Sequence, residues 1–187
     1  MSKDDIQLLS ALALALTRYP RSTLQQLATH AGISKATLYR MARTREEVVE
    51  RIVAHASGAL ADAFDNAGLE DQPPLQALHN LTTALLDIRQ FFSFLLMNHW
   101  LTHMDRGQDP HETEECQHYI RRVHAFFQRG QEEGVFRADV PSLWLARSYD
   151  FLLFSMMESE QRGDIEPDAM VGLVEQMFLG GALAKQA

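Results

Sequence analysis

Basic and hydroxyl side chains gather in one short stretch of a chain that is acidic overall, between residues 22 and 45. If a helix begins after Ser34, a step of about 100° per residue places Leu38 and Met41 on its buried side. The opposite arc contains no acidic residue, and its members are Lys35, Ala36, Tyr39, Arg40 and Arg43. Such an arc suits the major groove of double-stranded DNA, where arginine and lysine hydrogen-bond to base edges and to phosphates.

The side chains of this arc predict a division of roles on DNA. We expect Arg40 and Lys35 at base edges, and Tyr39 and Arg43 at phosphates. Thr37 lies on the flank of the arc, where it can reach a phosphate or a thymine methyl group.

The residues before this helix have the pattern of a helix-turn-helix motif. Ala28 is small where two helices must cross closely, and Gly32 permits a tight turn between them. Ile33 fills the junction, and Leu38 packs the second helix of the motif onto the first. The motif would hold the basic helix in a fixed orientation toward DNA.

Capping residues mark the beginnings of both helices of the motif. Ser22 or Thr23 caps the first, and a glutamine at position 25 or 26 completes a capping box. The backbone amides at Ser22 and Thr23 are also predicted to hold a phosphate, because helix N-termini attract anions. Ser34 caps the second helix.

Helical periodicity extends over nearly the whole chain, and no run alternates with a period of two for long enough to form a strand. The six prolines fall between periodic segments or at their beginnings. We predict an all-α fold with an N-terminal three-helix head, residues 1–48, and a larger helical body, residues 49–187. The predicted helices cover about 4–18, 22–31, 35–42, 44–66, 75–88, 90–104, 112–133, 141–160 and 166–184.

Charge is divided unevenly between these two parts. The 187 residues include 17 Lys and Arg against 25 Asp and Glu, which gives a formal net charge of −8. The first 55 residues hold eight of those basic residues and only five of the acidic ones, so a basic head precedes an acidic body. Because the head is basic, nucleic acid remains a candidate partner for it, although the net charge of the whole chain is negative.

Several other classes of protein are excluded by composition and motifs. A single cysteine, Cys116, rules out an intramolecular disulfide and a multi-cysteine zinc module. No secretory signal or membrane-spanning run is visible, so we expect a cytoplasmic protein with no membrane partner.

There is no Gly-rich phosphate loop or nucleophile elbow, and the acidic neighbours of Cys116 disfavour a thiolate. We therefore expect no enzymatic activity and no cofactor.

Four segments of the head share a pattern with one known family: Thr23–Ala28, Ala31–Ser34, Thr37–Tyr39 and Arg45–Val48. They resemble the TetR family of bacterial transcriptional regulators over about the first 55 residues. The body is similar in size and layout, including a turn at Glu133–Asp139. Members of that family are all-helical homodimers that bind palindromic operators through the head and respond to small molecules in the body. The resemblance implies a homodimeric repressor that a small hydrophobic or amphipathic ligand releases from DNA.

The resemblance also implies that Arg45, at the beginning of the fourth helix, contacts DNA. The predicted DNA contacts are Ser22, Thr23, Ser34, Lys35, Ala36, Thr37, Tyr39, Arg40, Arg43 and Arg45. Three positions depart from the family pattern. Ala36 and Arg18 stand where glycine is common, and Ala42 stands where phenylalanine is common.

Apolar residues on the last two helices predict a dimer surface, because two heads on one duplex increase both affinity and specificity. The same stripes also fit the core of a single chain. The predicted dimer contacts are Trp144, Leu145, Tyr149, Leu152, Met156, Leu173, Met177 and Phe178.

Aromatic residues and methionines in the middle of the chain predict either a ligand pocket or ordinary core. Polar residues lie among them and could orient an apolar ligand. The predicted ligand contacts are Phe91, Phe94, Leu95, Asn98, His99, Trp100, His118, Arg122, Phe126, Asp150, Phe151 and Phe154.

Two alternatives stay open from the residues alone. His99 and His103 have the i, i+4 spacing of metal ligands on a helix, which would suit a metal-sensing regulator. However, no flanking acid completes a known motif, and no metal site is predicted. A helical protein–protein adaptor whose head no longer binds DNA is the other alternative, because Ala36 and Ala42 depart from the family pattern.

Overall fold

A computed structural model describes the backbone of residues 2–105 and 114–184, and their side chains except for residues 99–105 and 114–117. The described residues form nine α-helices and a short 3-10 helix, Pro167–Ala169. The α-helices are α1 (Lys3–Arg18), α2 (Leu24–His30), α3 (Lys35–Met41), α4 (Arg45–Ala67), α5 (Pro74–Asp87), α6 (Arg89–Asp105), α7 (Glu114–Glu132), α8 (Ser142–Arg162) and α9 (Met170–Ala182). The all-α prediction is confirmed.

Packing divides the described residues into two compact units, each made of separate chain segments. The first unit contains residues 2–62 and 88–105, and the second contains residues 63–87 and 114–184. Helix α6 therefore packs with the three N-terminal helices, and α4 contributes residues to both units. The predicted head, residues 1–48, and body, residues 49–187, have other bounds than these two compact units. The assignment of DNA binding to the head and of ligand binding and dimerisation to the body stays a prediction.

The core of the first unit forms between α1 and α6, with α2, α3 and the first part of α4 packed around it. Leu12, Leu27, Leu38 and Ile52 come from four different helices and have no exposed surface. Burying side chains of this size contributes about 1.5–3 kcal/mol each. This shared core determines how α3 is presented.

The core of the second unit is an aromatic cluster around Phe127. Four rings lie with their centroids 5.0 to 6.0 Å from the Phe127 ring, and they belong to Phe126, Phe136, Tyr149 and Phe178. The Tyr149 hydroxyl is 2.9 Å from Oγ1 of Thr82, which joins α8 to α5 inside the core. Burial raises the pKa of Tyr149, because the phenolate would lose its hydration.

Polar contacts hold the loops of the second unit against its helices. Arg129 on α7 donates from Nε to the Leu69 carbonyl at 3.1 Å and from Nη2 to the Gln72 carbonyl at 2.8 Å. The backbone of Arg137 donates to Ala182 at 2.9 Å, which ties the α7–α8 turn to the end of α9. Within the described part of the chain, no helix has the length and apolar character needed to cross a membrane.

Candidate nucleic-acid interface

The turn between α2 and α3 is closed by a Schellman motif. Gly32 has φ of +67°, a left-handed conformation that glycine adopts without a steric penalty. Its N–H donates to the Thr29 carbonyl at 3.1 Å, and the Ile33 N–H donates to the Ala28 carbonyl at 3.0 Å. These two bonds end α2 and set the direction in which α3 begins. The predicted turn is confirmed.

Side chains cap both helices of the motif. Thr23 is the N-cap of α2, and Gln26 completes the capping box by accepting from the Thr23 N–H at 2.9 Å. Ser34 is the N-cap of α3, and its Oγ accepts from the Thr37 N–H at 3.0 Å. Each cap contributes about 1 kcal/mol, so both short helices begin at residues that the sequence specifies.

The predicted basic arc of α3 is exposed along its whole length. Leu38 is fully buried on the opposite side, and Tyr39 is 50% exposed. Lys35 and Arg40 lie on α3, whereas Arg43 lies beyond the end of the helix at Met41, so its predicted place on a helical arc is corrected. All three side chains are exposed, and no acidic side chain in the described residues forms an ion pair with any of them. This is an accessible, uncompensated positive surface, which is the electrostatic requirement for binding phosphates.

The remaining side chains of the arc lie at its edges. Ala36 is exposed, presents only a methyl group and stays a predicted DNA contact. Thr37 is half-buried, with Oγ1 2.8 Å from Oγ of Ser34. Ser34 and Thr37 therefore support the start of α3 as well as being predicted DNA contacts.

The structure assigns Ser22 a role inside the head. Ser22 is buried, and its Oγ lies 3.1 Å from Nδ1 of His30, whose ring stacks on Tyr19 at 4.0 Å. The Ser22 N–H donates to the Tyr19 carbonyl, and the Thr23 N–H donates to Gln26. The prediction that these two amides hold a phosphate is wrong, because both already have protein acceptors. The exposed Thr23 side chain stays a predicted contact.

Arg45 makes a contact that the sequence pattern did not indicate. Its Nη2 donates to the Pro20 carbonyl at 2.6 Å, and the side chain is half-buried. The bond joins the first residue of α4 to the loop between α1 and α2. Nothing in the sequence pairs these residues, because 25 positions separate them. Arg45 is therefore at least a positioning residue of the head.

The predicted dimer contacts separate into two groups. Leu145, Tyr149, Met156 and Phe178 are buried in the core of the second unit, so the prediction that they contact a partner chain is wrong. The periodicity of α8 and α9 did not distinguish these core positions from outward ones. Trp144 is 62% exposed and Met177 is 68% exposed.

Leu152 and Leu173 are half-buried and stay predicted dimer contacts. Phe151, a predicted ligand contact, points outward and is 67% exposed. It lies two turns of α8 after Trp144, on the same face. The prediction that Phe151 lines an interior pocket is therefore wrong for this chain.

Several predicted ligand contacts pack in hydrophobic cores. Phe91 and Phe94 are buried in the core of the first unit, and Leu95 packs against that core. Phe126 is buried in the aromatic cluster of the second unit. Asn98 and Phe154 are half-buried, and His118 is exposed.

Asp150 is the predicted ligand residue with the most unusual surroundings. The residue is half-buried, and its carboxyl group is enclosed by protein. Oδ1 accepts a 2.5 Å hydrogen bond from the Tyr119 hydroxyl. Burial raises the pKa of Asp150 to about 7, although the bond from Tyr119 opposes that rise. Tyr119 was not among the predicted ligand contacts, and the one signal for it in the sequence is its position one turn before Arg122 on α7.

Other predictions fall outside what the structure describes. The side chains of His99, Trp100, His103 and Cys116 are not among the described ones. Among the side chains that are described, no group of three or more His, Cys, Asp or Glu residues is arranged to hold a metal ion. The metal-sensing alternative at His99 and His103 is therefore not tested.

Known proteins similar to this chain are transcriptional regulators. No protein-family model matches the chain. The HTH-type transcriptional regulator NfxB of Pseudomonas aeruginosa is 36% identical over 179 residues, which cover 95% of this chain and 94% of NfxB.

Solved structures share the fold. The TetR family regulator PfmR from Thermus thermophilus matches with a TM-score of 0.61 and 24% identity, covering 100% of both chains. The TetR-like regulator LfrR from Mycobacterium smegmatis matches with a TM-score of 0.68 and 17% identity, covering 94% of this chain and 93% of that one. NfxB, PfmR and LfrR are all transcriptional regulators. NfxB shows by its identity that this chain is a transcriptional regulator of the helix-turn-helix type, and the fold is that of TetR-family regulators. Together with the capped helix-turn-helix and its exposed basic side chains, these similarities place the chain in the TetR family of DNA-binding transcriptional regulators.

Proposed function

We propose that the chain acts as a homodimer that represses transcription from a palindromic operator and leaves the DNA when a small hydrophobic or amphipathic ligand binds. The observation that carries the proposal is the exposed basic arc of α3, which no acidic side chain in the described residues neutralises. Lys35 and Arg40 read base edges, and Tyr39, Arg43 and Thr37 contact phosphates. Residues 1–48 bind DNA, and residues 49–187 bind the ligand and the second chain.

A dimer is supported by the outward face of α8 and α9. Large apolar side chains at Trp144, Phe151 and Met177 are each more than 60% exposed in the single chain. Leaving three such side chains in water is unfavourable, and a second copy of the same surface would bury them through a two-fold axis. A two-fold dimer presents two copies of α3, which requires two half-sites of opposite orientation in the operator.

Ligand binding is supported by a structural neighbour. LfrR is also known in complex with proflavine, and that structure matches this chain with a TM-score of 0.65 and 18% identity over 97% of both chains. We propose that the ligand favours a state of the body in which the two heads are wrongly spaced for the operator. Its effect on DNA affinity is limited by its differential affinity for the two states. Equal head spacing with and without inducer, measured in solution, would exclude this mechanism.

Selection of binding sites from random and genomic DNA tests the DNA-binding part. Wild type, Arg40→Ala and Arg121→Ala are compared at one fixed salt concentration, because affinities depend steeply on salt. Arg121 is an exposed arginine of α7 and serves as the matched control. We expect a palindrome from wild type and Arg121→Ala, and a lost or relaxed one from Arg40→Ala. Recovery of no sequence above background by wild type would favour the adaptor alternative.

A further inference from the structure

Four side chains of the second unit form a compact cluster between the end of α4, α7 and α8. The Tyr119 and Phe64 rings meet edge to face at 5.3 Å between centroids, and the Tyr119 hydroxyl donates to Asp150. The Arg122 guanidinium lies 5.1 Å from the Phe64 centroid, within the range of a cation–π contact. The cluster therefore contains two aromatic rings, with an acidic side chain in contact with one ring residue and a basic side chain in contact with the other.

The charges in this cluster do not pair with one another. Arg122 forms ion pairs with Asp65 at 2.7 Å and with Glu70 at 3.6 Å, so its charge is already balanced by two exposed acids. Asp150 receives its hydrogen bond from a neutral phenol. Within the described residues, no basic side chain forms an ion pair with Asp150.

An enclosed carboxyl group without a cationic partner is costly when it is ionised, because among the described residues only the Tyr119 hydroxyl donates to it in place of its hydration. A neutral residue at this position would pack as well as an aspartate or better. A ligand that brings a positive charge would supply the missing partner at short range and in a poorly hydrated environment. A ligand with an anionic or neutral head would not.

We propose that Asp150 is the anionic anchor of the effector site and that the effector is a small cation with an aromatic or amphipathic body. The inference rests on the proposed function, since it names the class of ligand that releases the operator. Asp150 binds the positive charge of the ligand, and Tyr119 orients the carboxylate. Phe154, one turn further along α8 and half-buried, contacts the apolar body.

The aromatic side chains favour the same class of ligand. The Phe64 ring already accepts the Arg122 guanidinium against its face, which shows that rings in this cluster stabilise a delocalised planar cation. Aromatic cations spread their charge over a flat apolar surface, so they lose less hydration energy on burial than a compact ammonium ion does.

Fluorescence titration with two matched probes tests the anchor. Proflavine carries a protonated ring nitrogen at neutral pH, and its diaminoanthracene analogue has the same outline with no ring nitrogen to protonate. We expect wild type to bind proflavine more tightly than the analogue. Asp150→Asn should lower the affinity for proflavine by about tenfold or more, because the charge partner is lost, and should leave the affinity for the analogue unchanged.

Two further variants control this experiment. Asp168→Asn removes an exposed acid of the same unit and should change neither affinity. Asp150→Glu keeps the negative charge and should keep the preference for the cation, which a purely structural role of the residue would not require. Thermal unfolding of each variant confirms that it is folded before it is titrated.

The outcomes separate this inference from the proposed function. Failure of wild type to bind proflavine, or equal proflavine affinities for wild type and Asp150→Asn, would overturn the cationic anchor. If a neutral compound then binds the protein and causes it to leave the operator, the proposed repressor function would stand and the cationic class of ligand would be excluded. Proflavine binding that depends on Asp150 but does not release the operator would contradict ligand control of DNA binding instead.

Discussion

Arg45 donates a 2.6 Å hydrogen bond from Nη2 to the carbonyl oxygen of Pro20, and this contact links the first residue of α4 to the loop that precedes α2. A hydrogen bond from a charged donor contributes about 1.5–3 kcal/mol when its partner is poorly solvated, and less here because the site is only half-buried. The contact gives Arg45 a role in holding the helix-turn-helix in place. A direct contact with DNA is the role that the family resemblance implies for the same residue.

The salt dependence of operator binding distinguishes these two roles. Loss of one phosphate contact lowers the slope of log affinity against log salt by about 0.9 for each head. We expect Arg43→Ala, at a predicted phosphate contact, to lower both the affinity and the slope. If Arg45 acts only by positioning, Arg45→Ala should lower the affinity and the melting temperature while leaving the slope unchanged. A reduced slope with an unchanged melting temperature would assign Arg45 to a phosphate.

Phe151→Glu should convert the proposed dimer to a monomer. The substitution places a charge on the outward face of α8, where a partner chain would have to remove it from water. Light scattering coupled to size-exclusion chromatography measures the mass, and operator affinity should fall with it because one head makes too few contacts. Leu75→Glu is the matched control, since Leu75 is an exposed apolar residue of α5. A dimer that survives Phe151→Glu would place the interface on another surface.

Gly130→Ala should destabilise the second unit. A Cβ at this position would lie 2.3 Å from Cδ2 and 2.5 Å from Cε2 of Phe136. Phe136 is fully buried between Phe126 and Phe127, so its ring cannot move aside. Overpacking of this kind costs about 1–3 kcal/mol, which chemical denaturation would detect.

Two variants check the physical cause of that loss. Gly58→Ala changes another helical glycine, with nothing within 4 Å of the new Cβ, and should stabilise the chain by up to about 1 kcal/mol. Phe136→Leu combined with Gly130→Ala should recover part of the loss, since the smaller side chain leaves room. A Gly130→Ala chain as stable as wild type would mean that the aromatic cluster rearranges freely.

Stability should fall as pH rises through the pKa of Asp150. Burial raises the pKa of this carboxyl from 3.8 to about 7, so the folded chain keeps a proton that the unfolded chain releases. The contribution of Asp150 to the free energy of unfolding is therefore fully present below about pH 4, and it is lost progressively as the pH rises to about 7. The free energy of unfolding, measured by denaturation between pH 5 and 8, should show this decline. Asp150→Asn should flatten it, and a decline of the same size in that variant would assign it to other groups.

Local sequence determined the DNA-reading motif almost completely. The caps at Thr23 and Ser34, the left-handed turn at Gly32 and the buried position of Leu38 all involve residues within a few positions of one another. Helix capping and turn geometry depend on such short separations, so residue type and spacing were sufficient to predict them. The predicted phosphate site at the amides of Ser22 and Thr23 is the exception, because the capping box already uses the Thr23 N–H and the carbonyl of Tyr19 accepts from the Ser22 N–H, a contact that the sequence pattern did not indicate.

Tertiary structure decided which apolar faces are core and which are surface. Tyr149 and Phe151 lie two positions apart on α8, yet one is fully buried and the other is 67% exposed, because only the first faces the aromatic cluster. Asp150 meets Tyr119 across 31 positions, and Arg45 meets Pro20 across 25. Periodicity along one helix shows that a stripe is apolar, but only the packing of several helices selects what covers it and which distant polar groups are brought together.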